Sequence, residues 1–320
     1  MSDVRVEEAT QLDDEAVAAV RVVAGRAAEA DGVDAISEAF RLALTSGRGD
    51  VSHVLAYAAD SPSADLLGYA ARDASGSAEL VVDPPARRQG VGRRLLRAVL
   101  DAGATGVWAH GDLPAARALA AAEGLVSTRE LHVMERPVRD WDDVDPVLPD
   151  GFSVRPFEPG RDEQAWLEVN RLAFASHPEQ GSITLEDLQE RMAQDWFDPG
   201  GLLLVEDVTV TQDGGAHPLA ASHWTKREPG SSNGRAHAAG SDEGAERRGE
   251  VYVVGVHPAY QGRGLAGPLT GLGTAYLARQ GVTTIDLYVD GDNTRALATY
   301  RRAGFEDAAI HVVYARPTAP

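Results

Sequence analysis

Two glycine-rich segments of the chain have the composition of an anion-binding turn. They are RRQGVGRR at 87–94 and QGRGLA at 261–266, and each follows a β-rich run and opens an amphipathic helix. Small residues let backbone amides converge at a helix N-terminus, where free N–H groups and the helix dipole bind phosphate. One such turn is most often an ordinary connection, but two copies with the same flanks favour two sites for a nucleotide-like polyphosphate. Neither is a P-loop, because no Lys-Ser/Thr follows the glycines.

The flanks of these turns form an internal repeat. Residues 78–100 and 251–277 share the order of strand, proline turn, glycine-rich turn and amphipathic helix. Each copy continues with a short strand, a helix that ends at a Gly-hydrophobic step, and a closing β-rich run. The sequence therefore predicts two mixed α/β domains of one fold, at 1–140 and 151–320, joined by an acidic, proline-containing linker at 141–150.

A Gly/Ser-rich stretch at 227–249 interrupts the second copy, between Lys226 and Glu250. It contains almost no large apolar residue, so it cannot contribute to a core. We expect a mobile excursion between two strands.

The composition excludes several classes of protein. The chain has 320 residues, no cysteine and a formal net charge of −19. Disulfide scaffolds, thiolate metal sites and cysteine nucleophiles are excluded, and His177 and His257 lack metal-site spacing, so we expect no metal. The acidic surface argues against nucleic acid as a binding partner and favours a cationic amine as a ligand. No apolar stretch approaches the ~20 residues that span a bilayer, and the N-terminus is acidic. We therefore expect a cytoplasmic monomer that does not bind membranes.

Both glycine-rich segments resemble the Q/R-x-x-G-x-G/A signature of the GNAT acetyltransferases. The segment from Asn293 to Phe305 is similar to the same family's N-x-x-A-x-x-x-Y-x-x-x-G-F element. The resemblance covers both halves and implies two tandem GNAT domains with a mixed α/β sheet and acetyl-CoA as acetyl donor. The family positions that it assigns to the donor in the first copy are Leu80, Val81, Val82, Arg88, Gln89, Gly90, Val91, Gly92 and Arg93. In the second copy they are Val254, Gly255, Val256, Gln261, Gly262, Arg263, Gly264, Leu265, Ala266, Gly267, Asn293, Thr294, Arg295, Ala296, Leu297 and Ala298.

Five further segments resemble one branch of that family, the mycothiol synthases. They are DGVDAISE at 31–38, AFASHPEQG at 173–181, HWTK at 223–226, GEVYVVGVHP at 249–258 and LYVDGDN at 287–293. The resemblance implies transfer of acetyl to the cysteine amine of cysteinyl-glucosaminyl-inositol, the last step of mycothiol synthesis, with only the C-terminal copy catalytic. It also implies contacts of the acceptor with Glu38, Glu179, Lys226, Glu250 and Tyr288. Lys226 is the only lysine beside 29 arginines.

Acetyl transfer to an amine requires a base for the ammonium proton and an acid for the departing thiolate. Glu250 begins the strand that leads into the second glycine-rich turn, and Tyr300 follows Asn293 on a helix, so we assign them as base and acid. The resemblance further implies that this strand splays at a bulge and that the Val254 amide polarises the thioester carbonyl. Alignment of the copies places Gly76 opposite Glu250 and Ala120 opposite Tyr300, so the first copy lacks both groups. Its arginine cluster at 87–97 suggests that it still binds CoA without turnover.

Two other hypotheses stay open at this point. The acceptor could be another amine, such as an aminoglycoside, a polyamine or a protein N-terminus. The chain could also be a non-catalytic acyl-CoA sensor. For Glu38 an ordinary solvated glutamate on a helix is as good an interpretation as an acceptor contact.

Overall fold

The computed structural model describes residues 4–45, 49–59, 65–175, 178–211, 215–227 and 247–317. The stretch 228–246, which contains most of the predicted mobile excursion, and His177 lie outside the described residues. The strands are β1 (Val4–Ala9), β2 (Val51–Ala58), β3 (Leu66–Asp73), β4 (Ser77–Val82), β5 (Gly106–Ala109), β6 (Val126–Pro137), β7 (Phe152–Pro156), β8 (Leu202–Asp207), β9 (Leu219–Lys226), β10 (Arg248–Val256), β11 (Thr284–Asp290) and β12 (Glu306–Ala315). The helices are α1 (Asp14–Asp31), α2 (Glu38–Ala43), α3 (Val91–Asp101), α4 (Pro114–Ala122), α5 (Glu163–Ala173), α6 (Pro178–Gly181), α7 (Leu185–Met192), α8 (Ala266–Arg279) and α9 (Thr294–Arg302).

All these strands form one twelve-stranded mixed sheet in the order β1-β2-β3-β4-β5-β12-β6-β11-β10-β9-β8-β7. The first copy contributes β1 to β5 at one side of the sheet, but the strand that pairs with β5 on the edge away from β4 is β12 from the second copy. In the same way β6, the last strand of the first copy, pairs with β11 of the second. The two copies therefore exchange their closing strands, and β6 and β12 pair with each other at the centre. The domain limits around 141–150 stay a prediction about sequence units, since in space each unit is completed by the other.

The helices divide between the two faces of this sheet. On one face α1 packs on the strands of the first copy, and α5 and α7 pack on those of the second, with Val20, Trp166 and Leu188 fully buried. We call this the acceptor face. On the other face, which we call the donor face, α3, α4, α8 and α9 bury Leu95, Leu269 and related side chains. A sheet covered on both sides by amphipathic helices is the layered architecture that the alternating strand and helix patterns predict.

No helix within the described part of the chain combines the length and apolarity required to cross a membrane. That finding is restricted to the ranges given above.

Helix α8 lies unusually close to strand β9. Gly273 of α8 faces His223 of β9, which is completely buried and donates from Nδ1 to the carbonyl oxygen of Leu269 at 2.8 Å. Burial lowers the pKa of His223 to about 4, so the ring is neutral near pH 7. A Cβ atom on Gly273 would lie 2.0 Å from Nε2 of that ring. Only glycine permits this approach without moving the helix from the sheet.

We expect Gly273→Ala to lower the free energy of unfolding by roughly 3 kcal/mol, the upper end of typical overpacking costs. The cost is high because neither the buried ring nor the helix can move without losing contacts. The matched control is Gly267→Ala in the first turn of α8, where an added Cβ meets no atom within 4 Å. That control should stay within about 1 kcal/mol of the parent, because alanine is the better helix former. Urea denaturation of the three proteins measures both values. Equal stability of the two variants would contradict the close approach.

Candidate active site

The second glycine-rich turn forms the start of α8 on the donor face. Gly262 and Gly264 both have φ of +80°, the left-handed conformation that favours glycine, and an added Cβ on Gly262 would meet nothing within 4 Å. The side chain of Leu265 is buried in the core, and no described side chain caps the helix. Backbone amides of the first turn therefore remain the donors of this site, which is the arrangement that binds phosphate.

Strand β10 parts from β11 as it approaches this turn. Their parallel register runs from the pair Arg248–Thr284 to the pair Val251–Leu287, while β10 itself continues to Val256. On its other side the pairing of β10 with β9 shifts between Val251 and Val253, so the predicted bulge is present at Tyr252. The segment Val253–Val256 thus borders a gap between two strands that elsewhere form parallel pairs. We call this opening the catalytic gap.

Glu250 is part of a row of charged residues that crosses the acceptor face. The register places Lys226 of β9, Glu250 of β10, Asp286 of β11 and Glu135 of β6 side by side. We call these four residues the charged row. The guanidinium of Arg248 donates to Glu135 at 3.0 Å and to Asp286 at 3.3 Å. Asp286 is 1% exposed and Glu250 is 8% exposed, so the row lies in a desolvated position where such charges require partners.

The ammonium group of Lys226 is enclosed by protein. Its side chain is 3% exposed, and Nζ lies 2.6 Å from Oε1 of Glu38, which comes from the first copy. Nζ also lies 4.9 Å from the ring centroid of Trp196 and 5.4 Å from that of Tyr252. The bulge turns Tyr252 to this face, and its hydroxyl accepts a hydrogen bond from Nε of Arg191 at 3.0 Å. A carboxylate and two aromatic faces are the partners that a buried cation requires.

The other two predicted acceptor residues, Tyr288 and Glu179, lie on β11 and in α6. Tyr288 lies two residues after Asp286 on β11, keeps 36% of its surface exposed and stacks on His311 at a centroid distance of 5.8 Å. Glu179 lies in α6, which Asn170 fastens to α5 by donating to the Gln180 carbonyl at 2.7 Å. The side chain of Glu179 is outside the described part of the structure.

Tyr300 lies on the donor face, opposite Glu250. It is 7% exposed and belongs to the cluster that contains Val251, Leu287 and Phe305, with Val254 packed against it. Burial raises the pKa of Tyr300 to about 12, so the hydroxyl carries its proton at neutral pH. Asn293 caps this helix by accepting the amide hydrogen of Ala296 at 3.1 Å. Because Glu250 and Tyr300 lie on opposite faces, one molecule can meet both only in the catalytic gap.

The first copy has the same framework without the same site. Strands β4 and β5 pair only at Ser77–Gly106 and Ala78–Val107 before they part, and Gly90 begins α3 with φ of +90°. The β3–β4 register runs without the bulge of the second copy.

The arginine cluster that we expected at a phosphate is largely engaged elsewhere. Arg87 binds both carboxylate oxygens of Asp31 at 2.7 and 2.8 Å, and Arg93 and Arg97 contact Glu123 at 2.9 and 2.8 Å. Arg94 donates to the Val4 carbonyl at 2.7 Å. Contact of Arg88 and Arg93 with a phosphate stays a prediction.

Asp286, Arg248 and Glu135 are site residues that the sequence did not single out. The available signal was Asp286, an acid between Ile285 and Leu287 in an apolar strand, which implies a buried and paired charge. Across the described residues, His, Asp and Glu side chains form no group of three or more that could hold a metal ion.

Comparison with known proteins identifies the relatives of this chain. The family model of the acetyltransferase (GNAT) family matches residues 53–123 and 166–305. The mycothiol acetyltransferase of Kytococcus sedentarius is 46% identical over 315 residues, which cover 97% of this chain and 96% of that protein. The mycothiol acetyltransferase of Cellulomonas flavigena is 47% identical over 302 residues, covering 90% and 82%.

Solved structures show the same fold at lower identity. A GCN5-related N-acetyltransferase from Sphaerobacter thermophilus has a TM-score of 0.63 at 24% identity and covers 97% of this chain and 94% of its own. A tandem GNAT protein from the clavulanic acid pathway has a TM-score of 0.67 at 18% identity and covers 99% and 100%. The tandem arrangement predicted from the internal repeat is therefore confirmed.

The enclosure of Lys226 generates a prediction about acceptor binding. We expect Lys226→Arg to raise the KM for the amine acceptor by roughly tenfold, about 1.4 kcal/mol of lost binding, with kcat largely kept. A planar, longer guanidinium cannot occupy the position of a compact ammonium between two rings and a carboxylate. Steady-state kinetics with acetyl-CoA and acceptor both varied measure the change. Arg227→Lys, the reverse exchange at the exposed neighbouring residue, is the control. An unchanged acceptor KM in Lys226→Arg would mean that the lone lysine is an accident of composition.

Proposed function

We propose that this chain, which belongs to the GNAT acetyltransferases and within them to the mycothiol acetyltransferase family, acetylates the cysteine amine of cysteinyl-glucosaminyl-inositol. It is an acetyl-CoA-dependent N-acetyltransferase, and its acceptor is a small molecule. The observation that carries the proposal is the catalytic gap, which opens just after Glu250 on one face of the sheet and has Tyr300 on the other face, in the cluster against which Val254 packs. A cytoplasmic location and a monomeric state are part of the same proposal.

The donor would enter from the donor face of the second copy. In this proposal the amides of 262–267 bind its pyrophosphate at the start of α8, and the free edge of Val254–Val256 binds the pantetheine arm. The residues of 293–298 line the opposite side, at the start of α9. The arm would end in the catalytic gap, where the Val254 amide polarises the thioester carbonyl as an oxyanion donor. The bulge at Tyr252 supports this assignment, because it redirects β10 at that point.

The acceptor would lie on the acceptor face, over the charged row. Four carboxylates lie in this region, those of Glu250, Asp286, Glu135 and Glu38. The cations Lys226 and Arg248 lie among them and offset part of this charge. The carboxylate of Glu250 would favour an ammonium group beside it. Glu38, Lys226, Glu179 and Tyr288 would contact the sugar-bearing part of the acceptor. Because Lys226 is already held by Glu38, the pair would meet the acceptor as a fixed unit rather than as a mobile side chain.

Chemistry in the catalytic gap would be a direct, sequential transfer. Glu250, acting through a water molecule, removes one proton from the ammonium group. The reference pKa of that group is ~8, so its deprotonation at neutral pH requires little free energy. The amine nitrogen attacks the thioester carbon, and the C–S bond breaks as the amide C–N bond forms. Tyr300 donates its proton to the leaving sulfur. The nitrogen loses its second proton as the amide forms, and that proton passes through solvent to Tyr300 and replaces the one given to the sulfur. The products are the acetylated amine and CoA, with no covalent enzyme intermediate.

The first copy would bind CoA without turnover. Its glycine turn keeps the left-handed Gly90 and an uncapped helix start, while Gly76 and Ala120 stand where Glu250 and Tyr300 act in the second copy. Leu80–Val82 and 88–93 are its proposed contacts.

Removal of either proton-transfer group should lower kcat by ~10²–10⁴-fold with little change in acetyl-CoA affinity, because neither group contacts the pyrophosphate. The variants are Glu250→Gln and Tyr300→Phe, compared with the parent on cysteinyl-glucosaminyl-inositol, an aminoglycoside and a polyamine. Mass spectrometry identifies the acetylated product, and CoA release gives the rate. Preference for another amine would redirect the proposal to that acceptor. Parent-like turnover in both variants would remove the proton-transfer assignment.

Gly264→Asp should abolish activity and leave one CoA bound per chain. A residue with a side chain is strained at φ of +80°, and the new carboxylate repels the pyrophosphate. Calorimetric titration with CoA measures the stoichiometry. Gly103→Asp is the control, since it adds the same charge at φ of +95° in open space away from both turns. Complete loss of binding in Gly264→Asp would show that the first copy holds no CoA.

A further inference from the structure

Glu79 is a buried carboxylate in the gap of the first copy. It lies on β4 immediately after Ala78, the last residue that pairs with β5, and it is 3% exposed. Alignment on the proline turns places it opposite Val253, which borders the catalytic gap in the second copy. The mechanism proposed above gives Glu79 no role, and a buried acid without one requires an explanation.

Both carboxylate oxygens of Glu79 have partners that lead to the acceptor site. Oε2 accepts a hydrogen bond from the backbone N–H of Ser37 at 2.7 Å. Ser37 directly precedes Glu38, whose carboxylate lies 2.6 Å from Nζ of Lys226. The contact therefore fixes the backbone one residue before the side chain that reaches across to the second copy.

The other oxygen leads to Tyr288. Oε1 of Glu79 lies 3.1 Å from Nε2 of His110, and the ring of His110 makes an edge contact with His311 at a centroid distance of 4.8 Å. Nδ1 of His311 accepts a hydrogen bond from the Gly111 amide at 2.8 Å. His311 in turn stacks on Tyr288. Glu79 is thus connected to two of the proposed acceptor contacts along separate routes.

Helix α2 depends on this support because it is too short to be stable alone. It has six residues, and isolated helices below ~12 residues are marginal in water. The side chain of its N-cap residue, Ser37, makes no capping hydrogen bond, and the third helical position is Phe40. In a capping box an acid at that third position would accept the N–H of the N-cap residue. Glu79 supplies that carboxylate from a strand instead.

We propose that Glu79 is a positioning residue for acceptor binding, and that the gap of the first copy has become the support of the acceptor site in the second. The inference rests on the proposed function, in which Glu38 and Lys226 bind the acceptor. Glu79 holds the start of α2, and α2 holds Glu38 against Lys226. Loss of this support should weaken acceptor binding and leave the donor site and the catalytic gap unchanged.

The first test removes the carboxylate. Glu79→Ala should raise the acceptor KM by roughly tenfold, with kcat and the acetyl-CoA KM within about twofold of the parent. Glu79→Gln keeps an oxygen that can accept the Ser37 N–H, so it should restore the acceptor KM to within about threefold of the parent. A uniformly destabilised protein would show no such separation of acceptor KM from kcat.

The second test removes the donor and leaves Glu79 in place. Ser37 has φ of −66° and ψ of 166°, values that proline adopts, so Ser37→Pro deletes the N–H without changing the backbone conformation of this residue. Ser37→Ala is the matched control, because it removes the hydroxyl that does not cap and keeps the N–H. We expect Ser37→Pro to raise the acceptor KM several-fold and Ser37→Ala to leave it unchanged. This pair remains decisive if Glu79→Ala fails to fold.

The outcomes separate this inference from the proposed function. A parent enzyme that does not acetylate the acceptor overturns the proposed function and this inference with it. An active parent whose acceptor KM stays unchanged in Glu79→Ala and Ser37→Pro overturns the positioning role alone. A parallel loss of kcat and of acetyl-CoA binding, accompanied by a lower Tm, also overturns it, because it indicates general destabilisation.

Discussion

The exchange of closing strands is the constraint on which the rest of the structure depends. Because β6 lies between β11 and β12, the two copies share one hydrogen-bonded sheet instead of meeting at a surface. Neither copy can complete its sheet alone, so the relative position of the copies is fixed by backbone pairing. Because this relative position is fixed, Glu38 of the first copy can contact Lys226 of the second as closely as two residues of one domain contact each other. Side-chain contacts across a loose interface would not hold a 2.6 Å ion pair in a buried position.

Buried charge explains why the two copies must stay together. Lys226 and the acids of the charged row lie where water cannot solvate them, and an unpaired ion there costs several kcal/mol. The chain distributes partners accordingly: Glu38 and two aromatic rings for Lys226, and Arg248 between Glu135 and Asp286. Two of these partners, Glu38 and Glu135, come from the first copy. Separation of the copies would leave the buried charges of the second copy without these partners. The ion pairs therefore stabilise the same arrangement as the strand exchange.

The sequence was sufficient for the parts of this fold that depend on local patterns. The repeat and the glycine turns follow from residue types at fixed spacing, and the bulge was implied by the resemblance to the GNAT acetyltransferases. All three lie where they were expected. The strand exchange was not predictable in this way. Strands β6 and β12 carry similar alternating patterns, so nothing local distinguishes pairing within a copy from pairing between copies. For the same reason Arg248 and Glu79 were missed, since the partners that give each its role, Asp286 for Arg248 and Ser37 for Glu79, are distant in the sequence.

The two copies differ at the point where their parallel strands part, and the difference follows from what each gap must contain. The second copy has a bulge that turns Tyr252 toward Lys226 and leaves apolar Val253 beside the gap. The first copy has a regular register and a buried carboxylate at the corresponding place. An acid beside a thioester carbonyl would oppose the negative charge that develops on the carbonyl oxygen during acyl transfer. One gap therefore cannot contain both the supporting carboxylate and the reacting thioester. A carboxylate that holds α2 is compatible only with a copy that has no chemistry to perform. If the first copy performs no chemistry, as proposed, its buried charge is therefore available to organise the proposed acceptor site of the other copy.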